Sequence, residues 1–280
     1  MTTHLWINFF TYWKENFLKE LKNSLKNWEQ NFAVTPNPEI MLLASKNSEF
    51  RKILKESKWN LPDWFWLVIW SFIEDNFQKF FSNKKNFSSK IKKFFYFFYL
   101  LKKFFILKIF WKKIFSPIEK RICGSDIFYD ICKLAQKNNY WIYLIWWAKW
   151  VPQKVEKKLE KIYQWIKIFW TFDWNFSDKK EISELEKKIL ETNPKIIFVA
   201  MWCPKQEILI KRFLKLNPKI WFWIWIWWTF DFVIWKQKRA PKILQKLWLE
   251  WIYRLYKEPK RIGRIWDATF GYLKMLYKNL

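Results

Sequence analysis

The chain has 280 residues, 51% apolar and 28% charged, enough for one large domain with a substantial buried core and too apolar for intrinsic disorder. No uncharged apolar run reaches the ~18 residues of a membrane span, and Lys14, Glu15, Lys19 and Glu20 break the first apolar segment where a signal peptide would need continuity. Lys and Arg outnumber Asp and Glu by 52 to 25, a net charge of +27, which favours an anionic partner: nucleic acid, an acidic membrane surface or a phosphorylated substrate.

In chain order, the apolar spacing predicts a helix over Glu15 to Lys26, a strand at Phe32 to Thr35, and a helix starting near Pro38 with Asn37 as its cap. Lys79 to Lys120 is rich in Phe, Tyr and Lys, and its uncharged run Phe94 to Leu101 is flanked by Lys92-Lys93 and Lys102-Lys103. That run is too short to span a bilayer but suits a segment in the headgroup region; a hairpin or self-packed insertion is the alternative. From Asn138 onward strands and helices alternate. Tyr140 to Ile145 reads as a strand, Pro152 to Ile162 as a helix with apolar Val155, Leu159 and Ile162 at helical spacing, and Ile166 to Phe169 as a strand. Ile182, Leu185, Ile189 and Leu190 mark the next helix. Lys195 to Met201 is a buried strand, Gln206 to Leu216 a helix and Lys219 to Trp227 a strand.

This alternation predicts an α/β fold: a Rossmann-like, mostly parallel sheet flanked by helices, with right-handed crossovers. The division expected is a Rossmann-like domain over residues 1–248, including the 79–120 basic aromatic insertion, and a basic C-terminal helical appendage over 249–280. In the tail, Ile262, Ile265, Trp266, Phe270, Leu273 and Leu276 recur at helical spacing among Arg261, Arg264, Lys274 and Lys278. A basic amphipathic helix of this kind docks on a membrane surface or on the protein's own core. Cys123, Cys132 and Cys203 form no CxxC pair, which points to a reducing cytosol, and the one histidine, His4, gives no basis for histidine catalysis or a histidine-ligated metal.

Two counts do not fit an ordinary globular chain: 25 Trp and only 3 Gly, where glycine normally supplies about 7% of residues. The tryptophans stand where glycine belongs, as in Trp146-Trp147 after an apolar run, and Trp221, Trp223, Trp225, Trp227 and Trp228 within one short window. A tryptophan buries about 150–250 Å², so so dense a cluster is hard to pack. The reading adopted is that most of these letters are glycines, from a lineage that reads UGA as glycine, translated with UGA as tryptophan. The alternative is a protein that is truly Trp-rich.

Taken literally, the chain has no GxGxxG, Walker loop, HExxH, GxSxG or DxD metal clamp. With glycine restored, LIWWAKW becomes LIGGAKG, a strand entering a glycine turn before a helix, which lets backbone N–H groups approach a phosphate. AMWCPKQE becomes AMGCPKQE and WIWIWWTFDF becomes GIGIGGTFDF. The chain then closely resembles the WecG/TagA/CpsF glycosyltransferases. VTPNPE (Val34 to Glu39) resembles the family's T-x-N motif, LPDWFW (Leu61 to Trp66) its PDGxG, and RICGSD (Arg121 to Asp126) its R-x-x-G-x-D. The glycine turn, the PKQE box and the RAP…LEWIYRLYKEP…R block follow in order. Lys79 to Lys120 departs from the family, which has a shorter connection there; Trp251 and Trp266 fall where the family tolerates or prefers tryptophan.

The resemblance implies inverting transfer of an N-acetylmannosamine-type sugar from a UDP donor to polyprenyl-diphosphate-linked N-acetylglucosamine, in teichoic acid or other surface polysaccharide biosynthesis. It implies a peripheral enzyme on the inner face of the cell membrane, working without a metal or cofactor, with UDP-sugar, the lipid-linked acceptor and an anionic membrane surface as partners rather than nucleic acid. Under it Asp63 is the candidate base, since inversion needs one group to take the proton of the attacking hydroxyl; its bland reading is a turn cap. Thr35 and Asn37 would position sugar hydroxyls or the acetamido group. Arg121, Arg254, Arg261 and Arg264 would hold the leaving diphosphate, for which guanidinium is suited, and Gln206 would contact the donor. Arg254, Arg261 and Arg264 share a helical face if the helix runs unbroken past Pro259. Trp146, Trp147, Trp202, Trp225 and Trp227 mark the expected nucleotide-binding turns. The competing readings are a basic aromatic nucleic-acid-binding protein, which leaves the ordered motifs unexplained, and a catalytically inactive relative that docks on membranes. Peptide masses of the native protein over Trp146-Trp147, Trp202 and Trp221 to Trp228 are expected to be those of glycine; tryptophan masses there would remove the glycine turns.

Overall fold

The computed structural model describes residues 2–4, 6–63, 67, 99, 122–146, 150–171, 179–200, 205–216, 222–226, 229–234, 240–241, 244, 250–272 and 274–275. The Lys79 to Lys120 insertion, apart from Tyr99, lies outside them.

The chain opens with β1 (Thr2–His4) and β2 (Ile7–Phe9), a short antiparallel pair, then α1 (Lys14–Lys26), β3 (Asn31–Val34), α2 (Pro38–Lys46), α3 (Ser48–Glu56) and β4 (Trp59–Asn60). After the insertion come α4 (Gly124–Lys137), β5 (Trp141–Trp146), α5 (Val151–Ile162), β6 (Lys167–Thr171), α6 (Lys179–Thr192), β7 (Ile196–Ala200), α7 (Lys205–Leu216), β8 (Phe222–Trp225) and α8 (Thr229–Val233). The tail holds α9 (Glu250–Lys257), a 3₁₀ turn (Pro259–Arg261), α10 (Ile262–Trp266) and a π-helical turn (Asp267–Gly271).

Among the described residues eight strands form one sheet in the order β1-β2-β4-β3-β8-β7-β5-β6, and every pairing except β1–β2 is parallel. The expected α/β, Rossmann-like architecture is therefore present. Parallel strands with helices on both faces are buried on both sides, which is why KIIFVAM carries no polar alternation: β7 is buried throughout. On one face the core gathers Ile40, Met41, Phe50 and Ile53 of α2 and α3 with Leu185 of α6 and Phe213 of α7. On the other it gathers Phe17 and Leu21 of α1, Phe128 and Ile131 of α4, and Val155 and Leu159 of α5.

Most expected elements occur within a few residues of their predicted bounds. Of the apolar residues that mark these helices, Ile162 and Leu190 are exposed, each lying at the end of its helix or off the buried stripe. β1, β2, α3, β4 and α4 were not anticipated; β4 is only a residue pair long, too short to show a period. Among the tail's described residues Ala268, Tyr272 and Met275 are buried, whereas Ile262, Trp266 and Phe270 of the predicted apolar stripe are exposed; Leu273 and Leu276 lie outside the described residues. Helix α9 ends at Lys257 before Pro259, as the missing N–H and ring clash of proline require, so Arg254, Arg261 and Arg264 do not share one unbroken helix.

The turns carry a conformational signature. Among the described residues the non-glycine positions with left-handed backbone are Trp28, Trp150 and Trp165, at φ of 60°, 65° and 65°, together with Asn139 and Asn193. Asparagine tolerates this region; for a bulky side chain it costs about 1–2 kcal/mol. Trp28 follows the last turn of α1, and the next N–H, of Glu29, donates to Ser24 O at 3.0 Å, the helix ending that normally calls for glycine. Asn139 ends α4 in the same way, with Tyr140 N–H donating to Ala135 O at 2.9 Å. Trp165 sits at the third position of a turn closed from Ile166 N–H to Tyr163 O at 3.4 Å, where positive φ again selects glycine. Trp28, Trp150 and Trp165 are 62%, 66% and 90% exposed, so little apolar burial offsets the strain. In a chain made with tryptophan at these positions, Trp28→Gly, Trp150→Gly and Trp165→Gly are each expected to stabilise by about 1 kcal/mol, read as a higher urea midpoint, with a much smaller gain from Asn139→Gly.

Candidate active site

In an open parallel sheet, ligands bind beyond the carboxyl ends of the strands, where the helices that follow present their N-termini. Here the densest convergence lies beyond β3, β4 and β8. Past β3 the chain runs Thr35-Pro36-Asn37 into α2; past β4 it runs Leu61-Pro62-Asp63. The two segments continue the parallel ladder side by side: Leu61 N–H donates to Val34 O at 2.8 Å and Asp63 N–H to Pro36 O at 3.2 Å. Ile122 N–H then donates to Pro62 O at 2.9 Å, which lays the approach to α4 against the other side of the Pro62-Asp63 segment.

Thr35 is fully buried, and its Oγ1 donates to the carbonyl of Trp225 at the end of β8, at 3.2 Å. Its hydroxyl thus ties the exits of β3 and β8 together. Asn37 is buried and caps α2, its Oδ1 accepting from Ile40 N–H at 3.0 Å, as the sequence predicts. Asp63 is partly exposed on the same rim. Gly124 opens α4 hard against the exit of β8: a Cβ there would stand 3.2 Å from Ile226 Cα, so a side chain would push the α4 N-terminus away. Thr229 opens α8, its hydroxyl and N–H both donating to Ile226 O.

The C-terminal segment reaches the same rim. Arg264 donates from Nε and Nη2 to Oε2 of Glu39, at 3.2 and 2.7 Å, and Glu39 lies in the first turn of α2. Arg261 instead donates from Nε to Glu258 Oε2 at 2.6 Å within its own turn. Thr35, Asn37, Asp63 and Arg264 are therefore brought to one edge of the sheet. Gln206 lies in the first turn of α7 and Arg254 on α9, while their side chains, with Arg121, Trp147, Trp202 and Trp227, lie outside the described residues. Trp146 and Trp225 end β5 and β8 and are buried, the ring of Trp146 packing against Phe230 at 5.3 Å; neither lines an open cleft. The VTPNPE motif by itself assigns Glu39 no role, and its partner in the tail is far too distant in sequence for spacing to reveal.

The model of the WecG/TagA/CpsF glycosyl transferase family matches residues 105–280. The chain belongs to this family. It is 25% identical over 234 residues to the N-acetylglucosaminyldiphosphoundecaprenol N-acetyl-beta-D-mannosaminyltransferase of Bacillus spizizenii, spanning 84% of this chain and 74% of that protein. It is 28% identical over 231 residues to the Bacillus subtilis protein of the same name, spanning 82% and 73%. As a glycosyltransferase of this family it is an enzyme, and its rim beyond β3, β4 and β8 is the candidate active site. Among the described residues no helix is long and apolar enough to cross a membrane.

Asn37 caps α2 through its side chain. Asn37→Ala is expected to cost about 1 kcal/mol of stability through the lost cap, whereas Asn37→Ser keeps most of it; parallel urea melts of the two variants check this.

Proposed function

We propose that this glycosyltransferase moves an N-acetylmannosamine-type sugar from UDP to polyprenyl-diphosphate-linked N-acetylglucosamine, with inversion, at the inner face of the cell membrane, for teichoic acid or another surface polysaccharide. The observation that carries the reading is the convergence of the TPN and LPD segments at one sheet edge in a chain whose relatives bear that transferase name. Asp63 takes the proton of the attacking acceptor hydroxyl as its oxygen bonds to the anomeric carbon and the bond from that carbon to the UDP oxygen breaks. Thr35 and Asn37 orient the donor sugar, Thr35 from a position fixed by its tie to β8. Gln206 contacts the donor from the start of α7. Arg121, Arg254, Arg261 and Arg264 balance the charge that develops on the departing diphosphate, in place of a metal.

Residues 249–280 serve in this reading as a basic appendage to the catalytic layer. Ile262, Trp266 and Phe270 recur one turn apart, each more than half exposed, with the rings of Trp266 and Phe270 4.3 Å apart. Exposed Lys260 and Lys274 flank them. An apolar stripe edged with lysine fits an anionic bilayer surface, which is where a lipid-linked acceptor resides.

The same proposal takes the tryptophans of the turns to be glycines in the native protein. Its support is conformational: Trp28 and Trp165 occupy backbone positions that select glycine. In the centre of the sheet the indole N–H of fully buried Trp223 has no hydrogen-bond partner among the described residues, a cost that glycine would not carry. Trp59 is a contrast, its Nε1 donating to Glu20 at 2.8 Å and its ring meeting Phe17 edge-on.

The test is UDP release by the native chain given UDP-N-acetylmannosamine and a polyprenyl-diphosphate N-acetylglucosamine acceptor. Release is expected only with both substrates present, and Asp63→Asn is expected to lower kcat by about 100-fold or more with an unchanged melting temperature. Unchanged turnover would remove Asp63 as the base. No turnover in the parent would favour an inactive, membrane-docking relative.

A further inference from the structure

The Arg264–Glu39 pair is not needed to hold the tail in place. Ala268, Tyr272 and Met275 are buried, and Tyr272 and Met275 enter the same core cluster as Ile40 and Met41 of α2. Gly271 lets the tail sit close, since a Cβ there would stand 3.2 Å from Leu42 Cδ1. Against that apolar contact, a partly exposed ion pair contributes little to stability. Its geometry is more specific than its energy. Both Nε and Nη2 of Arg264 converge on one oxygen, Oε2 of Glu39, which fixes the plane of the guanidinium and so the direction of its Nη1 donors. The carboxylate is itself held in a favourable place, in the first turn of a helix whose N-terminus attracts negative charge. Two positions before it lies the cap Asn37, and beyond that Thr35 at the exit of β3.

We propose that Glu39 is a positioning residue: it holds the guanidinium of Arg264, carried in on the tail, at the sheet edge in the orientation that meets the donor's diphosphate. This rests on the functional reading above, in which Arg264 serves the leaving group. It adds a role for a carboxylate that touches neither sugar nor phosphate and acts only through its arginine. It also makes the catalytic layer and the tail interdependent, because the α2 residue is useless to catalysis unless the tail is docked.

A double-mutant cycle on the native chain tests this, with Glu39→Gln, Arg264→Ala and the pair measured for both UDP affinity by calorimetry and kcat for transfer. Glu39→Gln alone is expected to weaken UDP binding or lower kcat by about tenfold, with protease protection of the tail retained. In the Arg264→Ala background the same change is expected to have less than about a twofold further effect. An equal loss in both backgrounds would overturn the proposal, since Glu39 would then act on substrate directly. No loss from Glu39→Gln in the parent would overturn it too, as would loss of tail protection in Glu39→Gln, which would make the pair a tether. If the parent is active but Arg264→Ala changes neither quantity, the assignment of Arg264 to the diphosphate fails and the positioning role falls with it. If the parent binds UDP but transfers nothing, the transfer reading fails while the UDP cycle still decides the pair.

Discussion

Parallel pairing of β3 with β8 joins two parts of the chain that fold around different helices, and the rest of the molecule depends on that seam. Asn31, Phe32 and Ala33 lie beside Phe222, Trp223 and Ile224, and just past the last pair the Thr35 hydroxyl closes onto the Trp225 carbonyl, 190 positions away in sequence. To the left of the seam β4 and β2 carry α1, α2 and α3; to the right β7, β5 and β6 carry α5, α6 and α7. Because the strands at the seam run parallel, the loops that follow them open at the same edge. A shift of β8 by one residue would turn its whole set of side chains to the opposite face and would carry Trp225 away from Thr35.

The same seam explains how the basic tail comes to lie beside the exit of β3. A net charge of +27 spread evenly over a surface steers many anions weakly. What gathers part of it in one place is topology: α2 leaves the seam with Glu39 in its first turn, and the tail returns to pack on α2 and brings Arg264 to that carboxylate. Charge from opposite ends of the chain is thereby placed at one sheet edge.

Much of the sheet was legible in the sequence, and the reasons differ by element. β5, β7 and β8 are long apolar runs separated by charged helical stretches, a pattern that buried parallel strands impose. The N-terminal elements were less legible because β1, β2 and β4 have three residues or fewer, below the length at which alternation can be counted. The rim was legible where a residue does local work: Asn37 before a proline announces a cap, and it caps α2. It was illegible where the work is long-range. Neither the Thr35–Trp225 contact nor the Arg264–Glu39 pair leaves a trace in spacing. The tail was half legible: of the apolar residues that define its helical period, Ile262, Trp266 and Phe270 face solvent, whereas Ala268, Tyr272 and Met275 are among those that dock. A stripe of large apolar residues says that a face will be covered, not what will cover it.

The π-helical turn at Asp267–Gly271 bears on how such a tail can change over evolutionary time. A π turn takes up more residues than an α turn of the same reach and commonly marks the place where one residue has been inserted into a helix. Here it falls between Arg264 and Tyr272, the ionic and the apolar contacts with the body of the protein, and so sets their phase. Deleting one residue from it would swing everything downstream by about 100°, sending Tyr272 out of the core or Arg264 away from α2. Insertions and deletions in this stretch are therefore constrained far more tightly than substitutions. A descendant that loses the extra residue has to move its arginine or its buried aromatic by one position to keep both on the same neighbour.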